Sequence, residues 1–209
     1  MTELRRRTLL TRGLAVAGLA GVTAACGRLP IGKPPPQMYT LTPKSTYPDG
    51  LPEAPWQLAV ERPDAPAGLS SARIAVARQP LTLDYYSGVA WVDDAPNMVQ
   101  RLMIESFENS NRIIGVGRDG VSFRSDYTLK VELREFQAEY FEQAEIPTVN
   151  VRINVKMVQM PQRTIIASQG FEAQRRAPSN KMLDIVETFD VALGLVLRDV
   201  VVWTLRQSG

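Results

Sequence analysis

The sequence predicts an α+β fold in a single domain, with an antiparallel β-sheet meander packed against two helices, one central and one C-terminal. Three observations support this prediction. Between residues 127 and 173, apolar and polar residues alternate over three long runs, which is the period of strands with one buried face. Residues 182–203 instead place apolar residues three and four apart, the period of a helix. A second helical stripe follows a start signal at Asp93–Pro96.

The chain begins with the parts of a bacterial export signal. Arginines at 5, 6, 7 and 12 precede an apolar run from Gly13 to Ala25, which ends at the only cysteine, Cys26. This run of 13 residues would extend about 20 Å as a helix, too short for a hydrocarbon core of about 30 Å. The ending Thr-Ala-Ala-Cys resembles the lipobox of bacterial lipoproteins, although Thr23 occupies the position where leucine is usual.

We therefore predict a lipoprotein signal peptide over residues 1–25 and lipid attachment at Cys26, which cleavage would make the first residue. An ordinary secretory signal followed by a free cysteine is the alternative, but an unpaired thiol is a liability in an oxidising compartment. Arg6 and Arg7 also resemble a twin-arginine export motif, so the export route stays open.

Composition excludes several classes of function. The sequence has no histidine and its one cysteine is assigned to the anchor, so we predict no catalytic residues, no metal site and no cofactor. After removal of residues 1–25, with four Arg and one Glu, 20 basic and 21 acidic residues remain. This near-neutral balance predicts no binding to nucleic acid.

Residues 26–37 are predicted to be a tether and residues 38–209 a folded domain. Ten of the 15 prolines lie between Pro30 and Pro66, a composition that favours extended polyproline geometry. Residues 38–42 alternate in the β pattern and are predicted to form a first edge strand.

The segment before the central helix predicts short strands. Residues 57–61 and 72–77 are predicted as strands, and residues 82–86 and 89–91 as a hairpin that turns at Ser87-Gly88. The central helix is predicted to begin at Asp93–Pro96 and to end at 109–111. A strand over 112–116 and a turn over 117–120 follow.

The middle of the sequence predicts three long antiparallel strands. Alternation from Tyr127 to Leu133 changes phase before Phe136, which predicts a β-bulge near Arg134-Glu135. After a loop over 142–147, residues 149–157 and 165–173 alternate as the second and third strands.

The last helix is predicted to begin near Ser179 as its N-cap. Its apolar residues follow a heptad-like seam, at Met182, Val186, Phe189, Leu193, Val196, Val200 and Trp203. Charged residues along it argue against a transmembrane helix. We expect it to cover the meander, with an oligomer contact as the alternative.

No other residue receives a functional prediction. Asp93 and Asp94 are the nearest approach to a carboxylate pair, and a helix start explains both. Aromatic residues Tyr85, Tyr86 and Trp91 are expected in the core, with a contact surface as the alternative. The glycines of 115–120 lack the following helix that a phosphate site needs, and Arg175-Arg176 are expected to be a solvated strand end.

Several features occur along the sequence in a characteristic order: the lipobox cysteine, the proline-rich tether, Tyr39-Thr40-Leu41, the 57–62 strand, Tyr85-Tyr86 before Trp91, the helix after Pro96 and the final Val202-Trp203. In this order they resemble the ABC-type transport auxiliary lipoprotein family. That family includes the lipoprotein partner of the paraquat-inducible MCE transport system. The resemblance covers essentially the whole chain after the signal.

The resemblance implies a non-enzymatic accessory of MCE-type transport of a phospholipid or sterol. The implied partners are an MCE substrate-binding protein with its permease and ATPase, and homo-oligomers are also expected. Gly27 after the cysteine implies the periplasmic face of the outer membrane, with the inner membrane as the alternative. Two other classes remain open, an outer-membrane assembly or pilot lipoprotein and an exported hydrolase.

Overall fold

The computed structural model describes residues 34–120 and 124–207. Arg6, Arg7 and Cys26 lie outside these residues, as does most of the predicted tether. The described strands are β1 Gln37–Tyr39, β2 Ala54–Val60, β3 Ala75–Ala77, β4 Asp84–Tyr85, β5 Val89–Trp91, β6 Ile113–Arg118, β7 Tyr127–Glu139, β8 Thr148–Gln159 and β9 Thr164–Arg176. The long helices are α1 Ala95–Ser110 and α2 Met182–Arg206, and a 3₁₀ turn spans Phe141–Gln143.

The main sheet is built around β7. Strand β8 pairs antiparallel with one edge of β7 along its length, and β9 pairs antiparallel with β8. The opposite edge of β7 is shared, because its first residues pair in parallel with β2 and its last residues in parallel with β3. Strand β6 lies outside β2, and β4 lies outside β3.

The single-domain α+β prediction is confirmed, but the sheet is mixed and not purely antiparallel. The predicted meander accounts for β7, β8 and β9. A parallel pair needs a crossover connection, and for β2 and β6 the segment that contains β3, β4, β5 and α1 provides it.

The predicted hairpin of residues 82–86 and 89–91 is wrong. Gly88 does have the positive φ of 74° that suits a turn, but β5 does not fold back on β4. Strand β5 pairs in parallel with β1 in a separate two-stranded sheet. The reason is the burial of Trp91, whose N–H donates to the carbonyl of Ala72 and whose side chain is 1% exposed.

The segment 38–42 forms the predicted edge strand only in part. Its strand ends at Tyr39, and β5 occupies one of its edges. Beyond the strand, the Thr42 N–H donates to a carboxylate oxygen of Asp190 at 2.6 Å, which holds this segment against α2.

The predicted β-bulge is confirmed. The register of β7 against β8 shifts between Leu133 and Glu135, as the change of phase in the sequence indicated. The bulge keeps the apolar residues on both sides of it, Leu133 and Phe136, directed to the same buried face.

Helix α1 begins as predicted. The Asp94 carboxylate accepts a hydrogen bond from the Asn97 N–H at 2.8 Å, and Pro96 lies in the first turn. Asn111 ends the helix in a left-handed conformation, and its N–H donates to the carbonyl of Glu108.

Helix α2 begins slightly later than predicted. Its N-cap residue is Lys181 and not Ser179. The Ser179 hydroxyl oxygen instead accepts a hydrogen bond from the Lys181 N–H at 3.1 Å and donates to the Asp184 carboxylate. Ser179 thus supports the first turn from outside the helix.

The core lies between the inner face of the sheet and the two helices. Phe189 of α2 packs with Trp91 and Phe136, with ring centroids 5.1–5.7 Å apart. The predicted seam of α2 is buried at its five central positions, whereas Met182 and Trp203 are half-buried. In the described part of the chain, we find no helix with the length and apolar character needed to cross a bilayer.

Candidate docking surface

The two adjacent aspartates stabilise the start of α1. Asp94 caps the helix and forms an ion pair with Arg62 at 3.0 Å. The Asp93 carboxylate accepts a hydrogen bond from the Asp94 N–H at 2.7 Å. Local structure therefore accounts for both carboxylates.

The aromatic residues near the short strands belong to the packed interior and its border. Trp91 is in the core, and Tyr85 is half-buried, with its hydroxyl donating to the carbonyl of Gly68 at 2.9 Å. The Arg73 guanidinium lies 3.5 Å from the centroid of the Tyr85 ring. The core interpretation of these residues is confirmed for Trp91, and Tyr85 packs against the core cluster.

Tyr86 is also half-buried and begins a short chain of hydrogen bonds. Its hydroxyl donates to the Tyr140 hydroxyl at 3.0 Å, and Tyr140 donates to the side-chain oxygen of Asn180. Burial is the main cause that raises the pKa of Tyr86 above its ordinary value. This chain joins the end of β7 to the segment before α2.

Glycines 115 and 117 lie within β6, so the strand continues two residues into the predicted turn. Arg175 and Arg176 are exposed at the end of β9, as predicted. Across residues 34–120 and 124–207, we find no group of three or more acidic, histidine or cysteine side chains placed to hold a metal ion.

Ion pairs between β7 and β8 cover the outer face of the sheet. Glu132 accepts hydrogen bonds from Lys156 at 2.6 Å and from Arg134 at 2.8 Å, and these cations lower its pKa. Arg152 pairs with Glu135. Since these charges neutralise each other, the face offers no concentrated charge for a ligand.

One carboxylate on the same face is held differently. Burial is the main cause that raises the pKa of Glu139, against the opposing effect of hydrogen bonds donated by Gln137 and Asn150. Asn150 also donates to Glu135 at 2.9 Å, so its amide connects two acidic side chains of β7 to β8.

The most exposed regular element is the outermost strand, β9. It pairs with β8 alone, and within the described residues no strand covers its other edge. Its 13 residues extend about 43 Å. Of its side chains only Ala173 is buried, and Ile165 and Ile166 are 55% and 41% exposed.

The first part of this strand has less of the usual protection of a sheet edge than its end. Natural edges carry charges, prolines or bulges that prevent pairing with other chains. Glu172, Arg175 and Arg176 protect the end of β9, and a register shift leaves Ile166 as an extra residue near its start. Residues 165–171, which we call the β9 edge, have no charge and no proline.

The sequence analysis missed the β9 edge and pointed to residues 38–42. A signal was present, because the middle of β9 consists of Ser168, Gln169 and Gly170, whereas β8 alternates valine and isoleucine with polar residues. Weak apolar content in a long strand indicates a position at the border of the core.

A second, shorter edge belongs to β6. Ile114 is 71% exposed there, beside a shallow depression of about 210 Å³. The depression is bordered by an ion pair between Arg112 and Glu53. With six residues, of which two are glycine, β6 offers a smaller surface than β9.

Comparisons with known proteins agree with this architecture. A model of the family described as "ABC-type transport auxiliary lipoprotein component" matches residues 39–201. Protein XCC0632 from Xanthomonas campestris, of family DUF330, has 30% identity and a TM-score of 0.77, over 82% of this chain and 95% of that one. A crystal structure of an uncharacterized protein matches with 13% identity and a TM-score of 0.62, over 84% of this chain and 100% of that one, which shows the fold alone.

A curated relative extends beyond this chain. The uncharacterized protein bll6063 of Bradyrhizobium diazoefficiens is 24% identical over 193 residues, which are 90% of this chain and 50% of that protein. The chain thus spans about half the length of the relative.

Proposed function

Because the chain belongs to the family of ABC-type transport auxiliary lipoprotein components, we propose that it is a non-enzymatic accessory of an MCE-type ABC transporter of phospholipid or sterol. In this role it docks the MCE substrate-binding protein at a membrane, while the permease and ATPase supply the energy. The observation that carries the docking role is the β9 edge, which has a free side and contains no charge and no proline.

A free strand edge is suited to binding an extended segment of a partner. Its outward N–H and C=O groups can extend the sheet by one strand, and each backbone hydrogen bond contributes a net ~0.5–1.5 kcal/mol. Ile165 and Ile166 would add apolar contacts to such a strand. The same edge could pair with a second copy of the chain.

Composition supports an accessory without turnover. The chain lacks histidine, and its lone cysteine is assigned to the anchor. Of the two carboxylates that come closest to a catalytic pair, Asp94 caps α1 and Asp93 accepts a hydrogen bond from the Asp94 N–H. We therefore expect the purified protein to show no hydrolase activity.

The anchor part of the proposal places the lipid on Cys26 at the periplasmic face of the outer membrane. Cys26→Ser should abolish labelling by radioactive palmitate and leave an uncleaved or soluble form. Fractionation of inner and outer membranes then assigns the protein to one of them. Wild-type protein that takes no label and is absent from membrane fractions would contradict the lipoprotein assignment.

The docking part is tested with a charge placed on the β9 edge. Ser168→Glu would put a carboxylate beside an added strand, so we expect binding of the MCE protein to weaken by about tenfold or more in a pull-down titration. Gln174→Glu is the matched control, since it makes the same change on the same face of β9 outside this edge. Equal loss or equal retention in both variants would reject the β9 edge as the docking site.

Light scattering on the same samples measures self-association. A strictly monomeric protein that captures no MCE protein would favour the alternative, an outer-membrane assembly or pilot lipoprotein.

A further inference from the structure

The turn between β3 and β4 has an unusual residue at its tip. The Thr82 N–H donates to the carbonyl of Gln79 at 3.3 Å, which closes a four-residue turn with Pro80 second and Leu81 third. Leu81 has a φ of 67°. A turn with proline second and a left-handed third residue favours glycine at that third position. Leucine here therefore strains the backbone.

The fold does not compensate for this strain. The Leu81 side chain is fully exposed, so it buries no apolar surface within the chain. The base of the hairpin, in contrast, is held firmly, because Tyr85 donates to Gly68 and Leu83 packs against the same glycine. Leu81 is thus a large apolar side chain on a rigid projection.

The tip points to the side from which the chain enters the domain. The chain from β4 to β5 runs antiparallel to the segment that ends in β3. Two backbone hydrogen bonds show this, from the Tyr86 N–H to the Ile74 carbonyl and from the Trp91 N–H to the Ala72 carbonyl. Strand β1 is parallel to β5, so it also runs away from the tip. The chain consequently enters β1, at Pro36 and Gln37, from the same side as the tip.

The polar groups of the tip are suited to a low-dielectric environment. The Thr82 hydroxyl accepts from the Gln79 N–H at 3.3 Å and donates to the Gln79 carbonyl at 2.8 Å, and Pro80 has no N–H. Polar groups that already have hydrogen-bond partners within the turn lose less free energy when water is removed. Arg78 and Asp84 at the base of the tip carry opposite charges, so the hairpin has no net charge.

We propose that Leu81 inserts into the surface of the phospholipid membrane to which the chain is attached, as a second contact that orients the domain. This inference rests on the proposed membrane anchor, because one leucine supplies too little affinity for stable binding and stable anchoring takes two signals. A protein partner fits less well, because specific protein interfaces bury about 800 Å² on each side, whereas Leu81 is the one fully exposed large apolar side chain of the tip and Leu83 is only partly exposed.

The test replaces the natural anchor, so that it does not depend on Cys26. Residues 26–209 with Cys26→Ser and an N-terminal hexahistidine tag are attached to phosphatidylcholine vesicles that contain nickel-chelating lipid. Leu81→Cys then provides the only thiol, which carries an environment-sensitive nitrobenzoxadiazole dye. Arg163→Cys is the matched control, because Arg163 is also exposed with a positive φ of 60° and lies in the β8–β9 turn, at the opposite end of β7.

We expect the dye at position 81 to gain emission by about twofold and to be quenched by lipids brominated on their acyl chains, at the shallow depth typical of interfacial residues. The dye at position 163 should stay unchanged. Added phosphatidylglycerol or salt should change the result little, since the hairpin has no net charge. Equal signals at both positions, or a change at 81 that needs an added MCE protein, would overturn the proposal.

A second variant tests the structural role of the side chain. Leu81→Gly should keep or raise the thermal midpoint, because glycine relieves the strained φ. It should also lower, by several-fold, cosedimentation of the tagged chain with vesicles that contain a limiting amount of nickel-chelating lipid. A Leu81→Gly variant that unfolds would show that Leu81 serves the fold, and the proposal would be wrong. Failure of the Cys26 anchor would leave both readouts interpretable, because the nickel lipid supplies the attachment.

Discussion

Strands β8 and β9 are neighbours of nearly equal length, yet they differ in the number of paired edges and in the burial of their side chains. Strand β8 has partners on both edges and buries its inner face, including Val151 and Ile153, completely. Strand β9 has a partner on one edge and buries only Ala173. Position in the sheet, more than composition, therefore decides which strand stabilises the fold and which keeps a free edge.

The largest expected effect concerns the helix that covers both strands. Phe189→Ala removes a fully buried ring that packs with Trp91 and Phe136, and should lower the free energy of unfolding by ~3–5 kcal/mol. Leu183→Ala, at an exposed position of the same helix, should change it by less than about 0.5 kcal/mol. Chemical denaturation measures both, and a loss below about 1 kcal/mol for Phe189→Ala would mean that this face is not core.

A register pair compares the strands directly. Ile153 of β8 lies opposite Phe171 of β9 on the inner face. Ile153→Ala should cost ~2–5 kcal/mol as a truncation in a packed core. Phe171→Ala should cost about 1–2 kcal/mol, because the ring is half-buried and packs edge-on against Trp203, with ring centroids 5.7 Å apart. An equal cost for both truncations in urea would refute the difference between the strands.

A second register pair makes the comparison with polar side chains. Asn150 of β8 lies opposite Gln174 of β9. Asn150→Ala should cost about 1–2 kcal/mol, because Glu135 and Glu139 lose a donor in a partly buried site. Gln174→Ala should change stability by less than about 0.5 kcal/mol. Greater sensitivity at Gln174 in equilibrium unfolding would show that β9 is better packed than we describe.

The smallest expected effect depends on pH. Lys156 and Arg134 lower the pKa of Glu132, so its contribution to stability is present above the ordinary value of 4.5 and is lost as pH falls through the lower, folded pKa. Glu132→Gln should therefore reduce the loss of stability in thermal melts between about pH 5 and about pH 3. Glu172→Gln in β9 serves as the control, and an identical pH dependence in wild type and Glu132→Gln would exclude this contribution.

The long elements could be predicted from the sequence because their patterns are local. Alternation placed β7, β8 and β9, and a single change of phase placed the bulge at Leu133–Glu135. The acidic cap and Pro96 placed the start of α1. Each of these signals depends on a few adjacent residues, so no knowledge of the partner strand was needed.

Strand partners could not be predicted because pairing is decided by the whole chain. Strands β4 and β5 are separated by a suitable turn, yet burial of Trp91 brings β5 to β1. The same limit applies to the docking surface, since the exposure of β9 follows from sheet order. The start of α2 shows the same limit on a smaller scale. The Ser179 hydroxyl accepts a hydrogen bond from the Lys181 N–H as a cap would, but the helix begins after Lys181.

The shared edge of β7 also has a consequence for the order of folding. Strands β2 and β3 find their partner about 70 and about 60 residues later in the chain, whereas β8 and β9 follow β7 through short turns. Contacts distant in sequence form slowly, so a chain that folds as it emerges from its N-terminus would hold β2 and β3 unpaired until β7 arrived. Pulsed hydrogen exchange should therefore show protection of the amides of β7 and β8 before those of β2, and the N-terminal half should be the part most dependent on chaperones.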